Sequence, residues 1–223
     1  MSGIWGSILT ELIPLGLVVA FSPLSIIPAV LVLHSPRPKP TGLAFMAGWL
    51  VGLAALTSIF LEASNLVGGL GNSPPSWASW LRIVVGVALI AFGVYRWVTR
   101  KKSKHMPSWM TRMSSLTPGK AAVTGAALTV ANVKVLLISA AAGLAIGSSG
   151  LSSPSVWVVV IWYVAVAGST VALPILGYAV SGERLDPALE RLKDWMERQH
   201  AALVAAILVV IGLLVLYKGI HGL

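Results

Sequence analysis

Lys134 lies near the middle of a long apolar run, Gly119 to Ile146, two residues after Asn132. A lysine at the centre of a membrane-spanning helix costs roughly 3 kcal/mol or more, so it usually pairs with another group or lines a polar cavity. The plainer alternatives are snorkelling to a nearby headgroup region and structural pairing inside a bundle. Gly125, Thr129, Asn132 and Ser139 follow helical spacing in the same run and form a small, polar stripe. On a regular helix Lys134 points nearly opposite to Asn132. Either the helix is distorted there or the two residues serve different contacts.

A second polar constellation lies in the first apolar run, at Phe21-Ser22-Pro23-Leu24-Ser25-Ile26-Ile27-Pro28. A proline inside a helix removes a backbone hydrogen bond and clashes with the preceding turn. Pro23 and Pro28 should therefore break or kink this helix and free carbonyls near Ala20 and Leu24. Irregular backbone at membrane depth is tolerated where it is buried in protein or lines a cavity. Ser22 and Ser25 share a face, and Glu11 shares it too if Pro14 does not rotate it away. This arrangement fits a polar pathway entering from the outer side. A proline-kinked packing helix whose serines bond back to their own backbone is the competing reading.

The acidic residues in or beside the apolar runs are Glu11 and Glu62. An ion pair of Lys134 with Glu11 is conceivable, although depth argues mildly against it. A Glu62–Arg82 pair across an outer loop is easier to accept as structural. Gly48 and Gly52, with Ala44 one turn earlier, make a small-residue stripe that lets helices pack closely. It could serve the bundle or a homodimer, and packing within the chain is the expectation. Gly168-Ser169-Thr170 and Pro174 supply another potential helix break.

The elements that must carry these residues are membrane spans. The chain has 223 residues, 57% hydrophobic and 10% charged, with a mean hydropathy of +0.87. Soluble domains carry about 25% charged residues. Six runs have the roughly 20-residue length a bilayer requires: about 4–33, 42–61, 80–98, 121–146, 156–180 and 201–217. Loops 34–40, 99–120 and 181–200 hold twelve of the 16 lysines and arginines. The loops between them, 62–79 and 147–155, have none. The positive-inside rule puts the basic loops in the cytoplasm of a plasma-membrane protein and both termini outside. The net charge of +9 is thereby a topology signal, and nucleic acid is not an expected partner. The N-terminus lacks the pattern of a removable signal peptide.

The expected architecture is all-α, a single transmembrane domain over 1–223. Two three-span halves of opposite orientation, about 4–99 and 121–218, flank a basic loop at about 100–120, which is the precondition for inverted repeats. Val94-Tyr95-Arg96 and Leu216-Tyr217-Lys218 end corresponding spans and add weak internal similarity. Asp186-Pro187 is a helix-start signal, and Leu185, Leu189, Leu192 and Met196 recur at helical spacing. A short amphipathic cytoplasmic helix is expected over about 186–199. There is no cysteine, no histidine pair with metal-ligand spacing, no phosphate-binding glycine loop and no paired carboxylates placed for acid–base work. No cofactor, no metal and no enzymatic activity are expected.

The pattern Phe21-Ser22-Pro23-Leu24-Ser25-Ile26-Ile27-Pro28-Ala29-Val30-Leu31-Val32-Leu33, followed by Phe45-Met46-Ala47-Gly48-Trp49, resembles the actinobacterial glycopeptidolipid- and sulfolipid-addressing membrane proteins. This GAP family is part of the lysine-exporter superfamily. The size, the six spans and the basic middle loop are similar as well. Superfamily relatives carry Pro-Gly-Pro in the first span and Asn-Pro-Lys in the fourth. Here Ser22-Pro23-Leu24 with Pro28 stands in the first region. Asn132-Val133-Lys134 stands in the second, with Val133 where proline is usual. The resemblance implies an inverted-repeat exporter of cell-envelope lipid or glycolipid, driven by an ion gradient, with Lys134 and Glu11 as candidate titrating groups. Ser22, Pro23, Ser25 and Pro28 would shape one wall of the path, and Thr129, Asn132 and Lys134 the other. Export of a small polar solute, such as an amino acid or a cation, is the alternative within transport. A non-transporting scaffold for a larger lipid-export machinery is the alternative outside it.

Overall fold

The structure is a computed structural model that describes residues 2–68 and 112–192, together with positions 87, 90, 91, 94, 95, 98, 195, 209 and 213. The elements are helical, with no strand among the described residues: α1 (Ser2–Ala20), α2 (Pro23–Val32), α3 (Pro38–Gly68), α4 (Pro118–Ala131), α5 (Val133–Gly147) and α6 (Ser153–Ser181). Two 3-10 turns, Arg112–Ser115 and Gly182–Leu185, precede α4 and follow α6. Prolines open four of these helices, Pro23 in α2, Pro38 in α3, Pro118 in α4 and Pro154 in α6. The first helical turn suits proline, since its fixed φ is already helical and its missing N–H had no partner to lose.

Two helices, at Pro38–Ser64 and Ser153–Ser181, are individually long and apolar enough to cross a membrane. Two further spans are counted if each bent pair is one crossing. The first predicted run divides into α1 and α2, bent by 53°, and the fourth into α4 and α5, bent by 74°. The third and sixth predicted runs lie outside the described residues but for isolated helical positions. So do Arg82 and most of the basic middle loop. The amphipathic segment is described at 186–192, which is helical from Asp186 as its Asp-Pro start predicts, with Leu189 buried.

The expected break at Gly168-Ser169-Thr170 and Pro174 does not occur, because α6 runs unbroken through all four residues. Proline is accommodated in a membrane helix when neighbouring groups take up the freed backbone valences. Gly168 is used for packing instead: a Cβ there would collide with Leu50 of α3.

Small residues set the helix spacing. Gly48 abuts the Ala122 carbonyl of α4, and a Cβ at Gly52 would sit 2.5 Å from Thr129 Oγ1. Gly125 of α4 in turn lies against the backbone of Phe45 and Trp49. Gly143 and Gly147 continue the close approach along α5, against Thr57, Leu61 and Ser64 of α3. With no apolar solvent effect to drive association inside a bilayer, such backbone proximity is what van der Waals packing requires. Gly48 and Gly52 thus face α4 of the same chain.

The paired residue numbers rise together along α3 and along α4–α5, so these run parallel. Gly16 against Val166, and Ala20 against Thr170, make α1 parallel to α6. Leu50 and Leu53 meet Gly168, while Gly42 meets Ile175, so α3 and α6 are antiparallel. The alternation of direction matches that of the charged loops. Outward-facing positions are apolar, among them Val51, Ile59, Val123, Leu137, Ile161 and Leu173. The described polar side chains Ser22, Ser25, Thr57, Thr129, Asn132 and Ser139 are buried. A contiguous apolar exterior of this kind is what a lipid-facing surface presents.

The chain forms two compact units, one of Met1–Leu70 with Pro107–Lys193 and one of Gly71–Met106 with Asp194–Leu223. The division does not follow the two halves of the sequence. The first unit takes the first two predicted spans of each half, and the second takes the third of each. In the second unit, the described positions Val87, Ala91, Val94 and Val98 are helical, exposed and spaced along one helix face.

Candidate functional site

Asn132 has φ −83° and ψ 94°, an extended conformation that ends α4 and starts α5. Its N–H donates to the Leu128 carbonyl at 3.0 Å, and its carbonyl accepts from Leu136 N–H at 2.9 Å. One residue therefore closes one helix and opens the next, and it does so without a proline. The distorted-helix alternative holds at this point, with Lys134 in the first turn of a new helix rather than opposite Asn132 on an old one.

Two donors at the break lack an acceptor. Asn132 Nδ2 and Lys134 Nζ are both shielded from solvent and have no hydrogen-bond partner among the described residues, Glu11 included. The Asn132 side chain makes no cap bond to the start of α5. The first N–H groups of a helix have no intrahelical acceptor, and the helix dipole adds a partial positive charge there. The last carbonyls of α4 reach the same break with the opposite partial charge. An incoming oxygen atom would give the two unpartnered donors an acceptor.

The α1–α2 break has the same polarity. Ser22 is the N-terminal cap residue of α2, with φ −81° and ψ 119°, and Pro23 follows it. The Ser22 carbonyl accepts from Ser25 N–H at 3.0 Å and Ile26 N–H at 3.2 Å. Neither serine closes the end with its side chain: Ser22 makes no cap bond, and the buried Ser25 Oγ has no partner among the described residues. Pro28 is buried inside α2. The carbonyl expected to be freed near Ala20 is taken by Thr170 Oγ1 of α6. That bond ties the break to an unbroken helix.

The two breaks lie at different depths. Ala20 is level with Thr170, and Gly168 with Leu50 and Leu53. Gly52 is level with Thr129, three residues before Asn132. At 1.5 Å of rise per residue the breaks differ in height by roughly 10 Å, about two helical turns. The helices α1 and α5 pack together, whereas α2 packs on α6 and α3. Thr129 Oγ1 donates to the Ala126 carbonyl at 2.7 Å, and its oxygen can still accept. Glu11 is half-buried in α1, where it engages a neighbouring group.

Two polar residues beside these were not marked by spacing. Tyr163, fully buried in α6, places its hydroxyl 3.5 Å from Ser139 Oγ of α5. Its signal in the sequence is a tyrosine at mid-depth in a span rather than at an interface. Trp49 Nε1 is buried without a partner among the described residues, and its ring stacks on Phe45 with centroids 6.4 Å apart.

A family model described as Sap, sulfolipid-1-addressing protein, matches residues 12–221, taking in both breaks and all six apolar runs. The chain belongs to this family. Neither a curated protein nor a solved structure matches the chain. Membership agrees with the lipid-addressing resemblance carried by the residues around Ser22 and Gly48. In the family's terms the chain is a helical membrane protein, and its broken first and fourth runs lie within the shared region.

Proposed function

We propose that this protein exports a cell-envelope lipid or glycolipid across the plasma membrane, as a secondary transporter driven by an ion gradient. The observation that carries the reading is the buried Lys134 ammonium, unpartnered among the described residues, at the start of α5. Discontinuous helices whose half-helix N-termini point at an anionic substrate are a recurring construction in secondary transporters. Here the N-termini of α2 and α5 both open at a break. The family description speaks of sulfolipid addressing, and a sulfated lipid carries a fixed anion that an unpartnered ammonium suits. In this reading Lys134 and Asn132 receive the anionic group, while Ser22, Pro23, Ser25 and Pro28 form the opposite wall. Lys134 gives up or regains its proton as the anion leaves or enters. Inverted repeats of three spans and membership of the lysine-exporter superfamily belong to the same proposal. The partition of equivalent spans into each compact unit is in keeping with them.

The test compares envelope lipids from cells lacking the protein, cells with it restored and cells carrying Lys134→Ala at matched abundance. One lipid class should leave the surface and accumulate inside in both the deletion and the mutant. Unchanged lipids in the deletion would turn attention to small-solute export. Normal lipids in the mutant, with the deletion defective, would sink the role of Lys134 and favour a scaffold.

A further inference from the structure

A second cationic site lies outside the helix breaks, where the start of α3 approaches the end of α6. A cavity of about 650 Å³ opens there. Arg37, Lys39 and Arg184 line it, with Pro38, Pro40 and Tyr178. The described lining residues include no acid. The three cations come from separate local structures. Arg37 caps α3, its carbonyl accepting Thr41 N–H at 3.1 Å. Lys39 is in the first turn of α3, and Arg184 is in the 3-10 turn after α6.

The cleft is built rather than incidental. Gly182 has φ 60° and ψ −144°, and its N–H donates to the Tyr178 carbonyl. A side chain would be strained in that left-handed turn, which sends the chain back so that Arg184 reaches the cleft. At Gly42 a Cβ would come 2.7 Å from Leu33 Cδ2 and 3.3 Å from Ile175 Cγ2. This contact fixes the spacing between α3 and α6 just beneath the opening. Tyr178 is only 5% exposed and forms part of the floor.

We infer that this cleft is a binding site for the sulfate or phosphate headgroup of a lipid in the inner leaflet. Two guanidinium forks match tetrahedral oxyanions by paired N–H···O bonds, and the lysine adds a point charge. The volume falls in the range of small-molecule sites and admits a headgroup of saccharide size. A lipid is favoured over a free anion because the cleft lies at the ends of the two helices that are long and apolar enough to cross a membrane, Pro38–Ser64 and Ser153–Ser181. That is the level at which headgroups sit. The headgroup would sit among the cations while its chains enter the adjoining hydrocarbon. The site rests on the export reading only for its purpose, as the place where an anionic lipid is held before it moves between the leaflets.

The experiment measures lipid retention by the full-length protein in detergent, using native mass spectrometry. The probes are phosphatidylglycerol, a sulfatide, phosphatidylcholine, and inorganic phosphate and sulfate. Both anionic lipids should be retained about tenfold more strongly than phosphatidylcholine, the scale expected when a few cations act together near a membrane surface. Arg37→Gln/Lys39→Gln/Arg184→Gln should lose that preference at an unchanged melting temperature, and Arg184→Glu alone should weaken it. Preference retained in both variants overturns the site. Inorganic phosphate or sulfate displacing the lipids at equal concentration overturns the lipid assignment in favour of a free anion. The loss caused by the triple substitution should be the same size in a Lys134→Ala background, so failure of the helix-break site and failure of the cleft are read separately.

Discussion

Replacing Lys134 with methionine should make the folded protein more stable while abolishing lipid export. An unpartnered buried donor costs about 1–3 kcal/mol, more when charged, and Lys134 Nζ is such a donor among the described residues. Thermal unfolding in a fixed detergent measures this, and a lower melting temperature for Lys134→Met would mark the lysine as a structural partner. The opposite sign is expected at Gly48. Its Cβ would meet the Ala122 carbonyl, which is backbone and cannot swing away. Gly48→Ala should cost about 1–3 kcal/mol by overpacking, read as a lower melting temperature and a smaller folded yield. At this scale the sequence was informative where a residue type contradicted its surroundings. A lysine among leucines and alanines is visible as an anomaly. Thr129 shows no such anomaly, because a hydroxyl that bonds back to its own helix sits readily among apolar residues.

At the scale of elements, the two helix breaks differ in how they are encoded. Pro23 makes the α1–α2 break readable, since proline at a first helical position needs an extended residue before it, and Ser22 is extended. The α4–α5 break has no proline, and only the structure reveals that Asn132 serves both helix ends. Pro174 misleads in the other direction, because α6 absorbs it without a break. Val133 is the first residue of α5 and Asn132 is already extended, so Val133→Pro should be tolerated to within about 1 kcal/mol. Leu136→Pro removes the N–H that bonds the Asn132 carbonyl and should cost about 3 kcal/mol or more. Comparing folded yield and melting temperature of the two variants checks this. Equal damage from both would mean that α5 does not begin at Val133.

For the whole molecule, the basic loops predict sidedness and the helix contacts supply the alternation of direction, but neither alone gives both. The absence of cysteine makes the protein its own background for labelling. Pro36→Cys, in the loop between α2 and α3, and Ser152→Cys, just before α6, are both at exposed positions. They should react with a membrane-impermeant maleimide from opposite sides of the membrane. Pro36→Cys should react only in inverted vesicles or permeabilised cells. Labelling of both from one side would undo the topology. The units of the fold were the least legible feature, because grouping residues 71–106 with 194–223, far apart in the chain, depends on contacts that local periodicity does not encode. The two unbroken spans have a further consequence. Pro38–Ser64 and Ser153–Ser181 have 27 and 29 residues, about 40 and 43 Å of helix, against a hydrocarbon core of about 30 Å. Their polar ends reach the headgroup layers: the apolar stretch of the first, about 42–61, matches the core, whereas that of the second, about 156–180, exceeds it by about 7 Å, a mismatch met by tilting or by a thicker bilayer. The broken spans are fastened to these two helices through Gly52 against Thr129 and Thr170 against Ala20. A change in acyl-chain length that alters the tilt would be felt at the breaks, which makes membrane thickness itself an input to this protein.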